Sequence, residues 1–145
     1  NTVWAVATAG VAAETLFEAI AAAVVNRIGD YSSQNMANAT WAFACNGWKQ
    51  RDLFAVLGSA LLDRVGALND TAKSQLYVVA VYVQIEWPHF EFPLSPHLQS
   101  FRLAYTTSDV RPSRFQREVS TMLERLGWSH TFEYQTADGF SLDLA

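Results

Sequence analysis

Asn1, Asn38 and Gln75 occupy matching places along this sequence, each 37 residues after the last. An amide side chain carries both donors and an acceptor, so such a row suits a reader that pairs with one base edge per unit. The same row also suits an internal ladder, in which each amide bonds the backbone of the adjoining unit and satisfies a buried polar group. Arg27 and Arg64 recur in the same register, and with Lys49, Arg51 and Lys73 they could line up as phosphate contacts. An arginine near a helix C-terminus has a second use, because it meets the helix dipole favourably by about 0.3–1 kcal/mol when exposed. Trp4 and Trp41 could stack on bases, although a tryptophan recurring in an alanine-rich helical face also reads as core. Arg111, Arg114 and Arg117 are the densest positive cluster, fitted to phosphate, to an acidic partner or to plain solvation.

Bond-breaking chemistry has less to work with. His89, His97 and His130 show neither mutual spacing nor carboxylate neighbours that would suggest a metal site or a general base. A single cysteine, Cys45, leaves no disulfide or thiolate-metal framework, and its helical setting predicts a small buried hydrophobe. No nucleophile–base pair, metal set or cofactor site is expected, so the chain reads as a non-enzyme.

The elements that must position these residues repeat. Trp4-Ala5-Val6-Ala7 is answered by Trp41-Ala42-Phe43-Ala44, and the echo continues in Gly10 and Gly47, Leu16-Phe17 and Leu53-Phe54, Gly29 and Gly66. A period in the 30s marks stacked repeats whose units cannot bury their apolar faces alone. Apolar spacing predicts helices over 2–9, 12–28, 33–45, 51–65 and 70–85, with Ser32 or Ser33 and Asn69 or Asp70 as N-caps. Two helices per period, joined by glycine-containing turns, predict an α-solenoid over 1–86. All four prolines fall between Pro88 and Pro112, and 87–112 reads as a connector holding one short helix after Ser95 and Pro96. From 113 onward the pattern changes: Ser113 and Gln116 form a capping box, an apolar face runs from Phe115 to Leu126, and alternating residues around Ala137, Asp138 and Gly139 predict a β-hairpin.

Half of the chain is apolar, enough for a core, and no apolar run is long enough to span a membrane. The net charge is −4, with five basic and seven acidic side chains in 1–86, which argues against strong non-specific binding to nucleic acid. Asn1 falls inside a repeat phrase and Ala145 inside an alternating strand, so the chain is expected to be a piece of a longer protein.

The phrases Gln34 to Ala44 and Lys73 to Tyr77 resemble the octotricopeptide (OPR) and FAST-kinase-like repeats of organellar RNA-metabolism proteins. The tail resembles the opening of a RAP domain, in Arg114 to Leu123, Leu126-Gly127, Glu133-Tyr134 and Asp138 to Ala145. The resemblance covers about 1–85 and 113–145, in the order in which such repeats and RAP domains recur together. It implies a mainly α chain: a solenoid of ~37-residue helical hairpins followed by the start of an α/β, restriction-endonuclease-like RAP domain. It also implies a mitochondrial or plastid protein that binds single-stranded organellar RNA or rRNA and acts in RNA processing, stability or translation. In an endonuclease of that fold Asp143 would supply the first metal-binding carboxylate and Glu118 could assist, but the remaining residues of the set are lacking.

Two functions follow. One is RNA binding through Asn1, Asn38, Gln75, Arg27, Arg64, Lys49, Arg51 and Lys73, assisted by Arg114 and Arg117. The other is a structural solenoid subunit of a large organellar assembly such as a ribosome, contacting mainly protein; the acidic balance of 1–86 favours it.

Overall fold

The computed structural model describes residues 14–107, 114–137 and 139–144. Asn1, Trp4, Gly10, the helix expected over 2–9, Arg111, Ser113 and Asp138 lie outside them. The chain is mainly helical, with six α-helices and one β-hairpin among the described residues. It divides into two compact units between Tyr105 and Thr106.

In the first unit, α1 (Glu14–Asn26), α2 (Ser33–Cys45), α3 (Arg51–Leu62) and α4 (Asp70–Glu86) alternate with short turns, and α5 (Leu98–Thr106) closes it. The period is visible in the backbone. α2 and α4 begin 37 residues apart, and 3-10 turns at Ile28–Asp30 and Val65–Ala67 keep the same offset. Caps explain the starts. Ser32 accepts from the amide of Asn35 at 3.2 Å, and Asn69 from that of Ala72 at 2.8 Å, each satisfying a donor that the first helical turn leaves free. Gly47 explains one stop. Its φ of +65° lets the Trp48 and Gly47 amides bond back to Phe43 and Ala44, closing α2 in a Schellman turn.

Packing joins like with like. α2 packs chiefly on α4 and also on α3, while α1 packs on α3. Alanines allow the close approach of α2, which buries Ala37, Ala39, Ala42 and Ala44 beside Met36 and Phe43. Thr40 is fully buried, and its hydroxyl donates to the Met36 carbonyl at 2.8 Å, so no polar group is stranded there. Two aromatic clusters lock the helices. Phe17 meets Phe43 and Trp48, and Phe54, 37 residues later, meets Tyr82 and Trp87. In each cluster the two partners stand five residues apart, at the end of a helix and just beyond it.

The proline-containing stretch corrects an expectation. It is no mere connector, because Phe92, Leu94 and Phe101 are buried in the first unit. A 37-residue shift of α3 predicts a helix over 88–99, but Pro93 and Pro96 would each remove a helical amide from its interior. The chain instead loops against α3 at Gly58, where an added Cβ would lie 2.7 Å from the Phe92 ring and 3.2 Å from Pro93. Apolar side chains, rather than proline content, decided that this stretch belongs to the core.

The second unit holds α6 (Arg114–Arg125) and an antiparallel hairpin of β1 (Phe132–Gln135) and β2 (Ser141–Leu144), with Tyr134 opposite Leu142. Gly127, at φ +77°, ends α6 as Gly47 ends α2. α6 touches β2, yet none of its described side chains is buried.

Candidate functional site

The amide row rests on capped helices. Asn38 lies one turn inside α2, and Gln75 lies at the matching position of α4, the helix that packs most heavily on it. Both are half-buried. A third amide joins them. Gln34 Nε2 donates to Asn38 Oδ1 at 2.8 Å and to Gln75 Oε1 at 3.2 Å, so one side chain bridges two units. This differs from the ladder expected from sequence, because the partners are other amides and not backbone. Gln34 has no repeat in the sequence to mark it, because Thr71 stands at its counterpart. The Gln34 carbonyl oxygen is buried and has no partner. Trp41, one helical turn beyond Asn38, is half-buried.

The basic residues are not gathered into one stripe of unengaged cations. Arg64 donates to the Tyr31 carbonyl at 2.6 Å, across a separation of 33 residues. It ties one hairpin to the next, a use that neither phosphate binding nor the helix dipole had suggested. Arg27, its counterpart, is exposed and pairs with Asp30 at 2.9 Å. Lys49 pairs with Glu86 at 3.2 Å and Lys73 with Asp70 at 3.1 Å. Arg51 pairs with Asp52 at 3.3 Å and lies over the Phe90 ring. Exposed pairs of this kind contribute about 0–1 kcal/mol. The Arg64 contact is part-buried and joins residues 33 apart.

On α6, Arg114, Arg117, Thr121 and Arg125 recur at helical spacing along a cleft of about 540 Å³, with Glu118 and Met122. Arg125 stands eight residues beyond Arg117, too far along the sequence for the cluster of Arg111, Arg114 and Arg117 to point to it. Glu118 pairs with Arg114 at 2.8 Å, which engages the carboxylate that the nuclease resemblance singled out. A second open groove, of about 630 Å³, lies between the C-terminal half of α4 and the proline-containing stretch. Gln84, Phe90, Glu91 and Pro93 are among its walls, and it shares no residue with the amide network.

Two expectations about reactive groups change. Ser120 Oγ and His130 Nε2 stand 2.8 Å apart, and His130 Nδ1 lies 3.3 Å from the Trp128 carbonyl. A serine–histidine pair therefore exists, although no nucleophile–base spacing marks it in the sequence; the turn after α6 brings the two together. With Nδ1 protonated toward Trp128, Nε2 accepts from the serine hydroxyl. The contact pins the loop after α6 to the helix. Cys45 is exposed and not a buried hydrophobe, although nearby atoms desolvate its sulfur enough to raise its thiol above the ordinary value. Burial, then the charge of Glu86, raises the Tyr82 phenol, which donates to the Trp48 carbonyl at 3.0 Å. Burial, then Tyr77, raises Tyr105 in the same direction.

Among the described residues no three His, Cys, Asp or Glu side chains are grouped to hold a metal ion, and no helix is long and apolar enough to cross a membrane. Set against known protein families, curated proteins and solved structures, the chain finds no match.

Proposed function

We propose that this chain is an OPR-like α-solenoid segment, followed by the start of a RAP-type domain, that binds single-stranded organellar RNA or rRNA. In this reading it acts in RNA processing, stability or translation in a mitochondrion or plastid. The observation that carries it is the amide pair Asn38 and Gln75, presented at matching positions of adjacent packed helices 37 residues apart. A linear guest with one recognition group per step is the natural complement of a row with one amide per unit. The arginines of α6 would add phosphate contacts.

A titration of the full chain with single-stranded RNA, at about 50 and about 200 mM salt, tests this. Three or four phosphate contacts predict a roughly twenty- to fiftyfold loss of affinity between the two. Absence of binding at the lower salt would overturn the proposal.

One observation favours a second reading, a structural subunit of a large organellar assembly contacting mainly protein. Lys49, Arg51, Arg27 and Lys73 all sit beside carboxylates, and the chain is net acidic. Association that changes little with salt, and with protein in place of RNA, would favour it.

A further inference from the structure

We infer that Gln34 sets the polarity of the amide row, so that Asn38 and Gln75 both offer hydrogen-bond donors outward and select keto bases over amino bases. The inference rests on the RNA-binding reading above and deepens it.

The bridge has only two self-consistent orientations. In the one present, both hydrogens of the Gln34 amide nitrogen are used, one by Asn38 Oδ1 and one by Gln75 Oε1. The Gln34 oxygen is left buried and unpartnered. Turning all three amides over would keep both hydrogen bonds. It would also place an NH₂ group, with two unmet donors, where that lone oxygen now sits. A carbonyl tolerates a missing partner better than an N–H does, so the present orientation is favoured.

The consequence reaches the surface. With their oxygens turned to Gln34, Asn38 and Gln75 direct their NH₂ groups away from it. Among the described residues neither nitrogen has a hydrogen-bond partner. An NH₂ group donates only. It fits the O4 of uracil or the O6 of guanine and meets only another donor at the N4 amino group of cytosine or the N6 amino group of adenine. Thr71, which replaces Gln34 in the next unit, has one hydroxyl and cannot bridge two amides this way. The polarity is therefore fixed by a residue that need not touch RNA. Gln34 is a positioning residue.

The test compares oligo(U) with oligo(C) of equal length, two pyrimidines that exchange an acceptor for a donor at C4 and a donor for an acceptor at the neighbouring N3. The full chain should bind oligo(U) about threefold to tenfold more tightly per contact. Gln34→Glu puts an acceptor-only group at the centre, drawing both NH₂ groups inward and both carbonyls outward. The preference should then invert toward oligo(C), whatever the added charge does to affinity overall. Gln34→Ala removes the bridge and should bring the ratio toward one, with helix content unchanged. A wild-type ratio retained in both variants overturns the inference.

Side-chain amide exchange, read by NMR on the full chain, gives an answer that does not depend on RNA. The Gln34 NH₂ protons should exchange slowly and those of Asn38 and Gln75 quickly. The reverse pattern overturns the polarity. If neither oligonucleotide binds, the RNA reading fails and the base preference with it, while the exchange pattern still decides the orientation of the network.

Discussion

The first unit and the second use the same helical grammar with opposite results. Every buried apolar side chain among the described residues lies between Phe17 and Ala104. α6, in the second unit, separates apolar and charged faces more sharply than α1 to α5 do, yet buries nothing: Phe115 is 73% exposed and Met122 54%. Amphipathicity therefore states which face a helix would bury, and says nothing about whether a partner is there. In the first unit partners recur every 37 residues, and helices of weaker amphipathic character are held by neighbours on several sides. The contrast is between a surface that has been used and one that has not.

Truncating an aromatic in each unit strikes at that contrast most directly. Phe54 is fully buried against Tyr82 and Trp87, and Phe54→Ala should destabilise the first unit by about 3–5 kcal/mol in a urea melt. Phe115→Ala should stay within about 0.5 kcal/mol. Comparable losses from both would erase the distinction.

A smaller effect tests whether the proline-containing stretch belongs to the first unit's core. In an open helix, Gly58→Ala would gain about 1 kcal/mol from propensity. Here the new methyl would lie 2.7 Å from a buried ring, and overpacking should reverse the sign to a net loss of about 1–2 kcal/mol. Adding Phe92→Leu should recover part of the loss, as a double-mutant cycle would measure. A stabilised Gly58→Ala variant would show that the stretch is only loosely laid down.

Arg27 and Arg64 sharpen the comparison within the first unit. Arg64→Ala leaves the Tyr31 carbonyl without its charged donor and should cost about 1–2 kcal/mol in thermal or urea unfolding. Arg27→Ala loses only an exposed pair and should cost less than about 0.5 kcal/mol. Equal effects would mean that the tie between hairpins carries no weight.

Tyr82→Phe gives a smaller change than Arg64→Ala and adds a pH signature. Loss of the bond to the Trp48 carbonyl should cost about 1 kcal/mol near pH 8. The folded phenol titrates above its ordinary value, so its contribution is complete below about pH 10. That contribution is lost as pH rises through the folded value, because the unfolded chain releases the proton first. The stability gap between wild type and Tyr82→Phe should therefore narrow as pH rises past the ordinary phenol range, about 10. A gap independent of pH would exclude the phenol as its source.

Much of the first unit was legible because its signals are local. Ser32 and Asn69 announce helix starts by side-chain chemistry, and Gly47 announces a stop by the left-handed backbone that it alone adopts cheaply. The site was legible only in part. Asn38 and Gln75 were found by their register, but Gln34 breaks the repeat, and Arg64 chose a backbone carbonyl, an acceptor that every residue carries and no sequence pattern marks. Ser120 and His130 meet because of a turn, and ten residues of separation carry no such message. Phe92 and Leu94 were hidden by their prolines, which report where a helix stops and not where the chain goes next.

The counterpart of Gly58, 37 residues earlier, is Ala21, buried in a helix that packs on α3. Where the chain is followed by another helix it keeps a methyl group; where it is followed by the Phe92–Pro93 loop it gives that methyl up. One hydrogen in place of a methyl thus acts as punctuation. In sequences written in the same period, a glycine here and a Phe-Pro pair about one unit downstream would signal the last hairpin. Anyone lengthening such an array by duplication would do well to copy the alanine version and leave the glycine for the final copy.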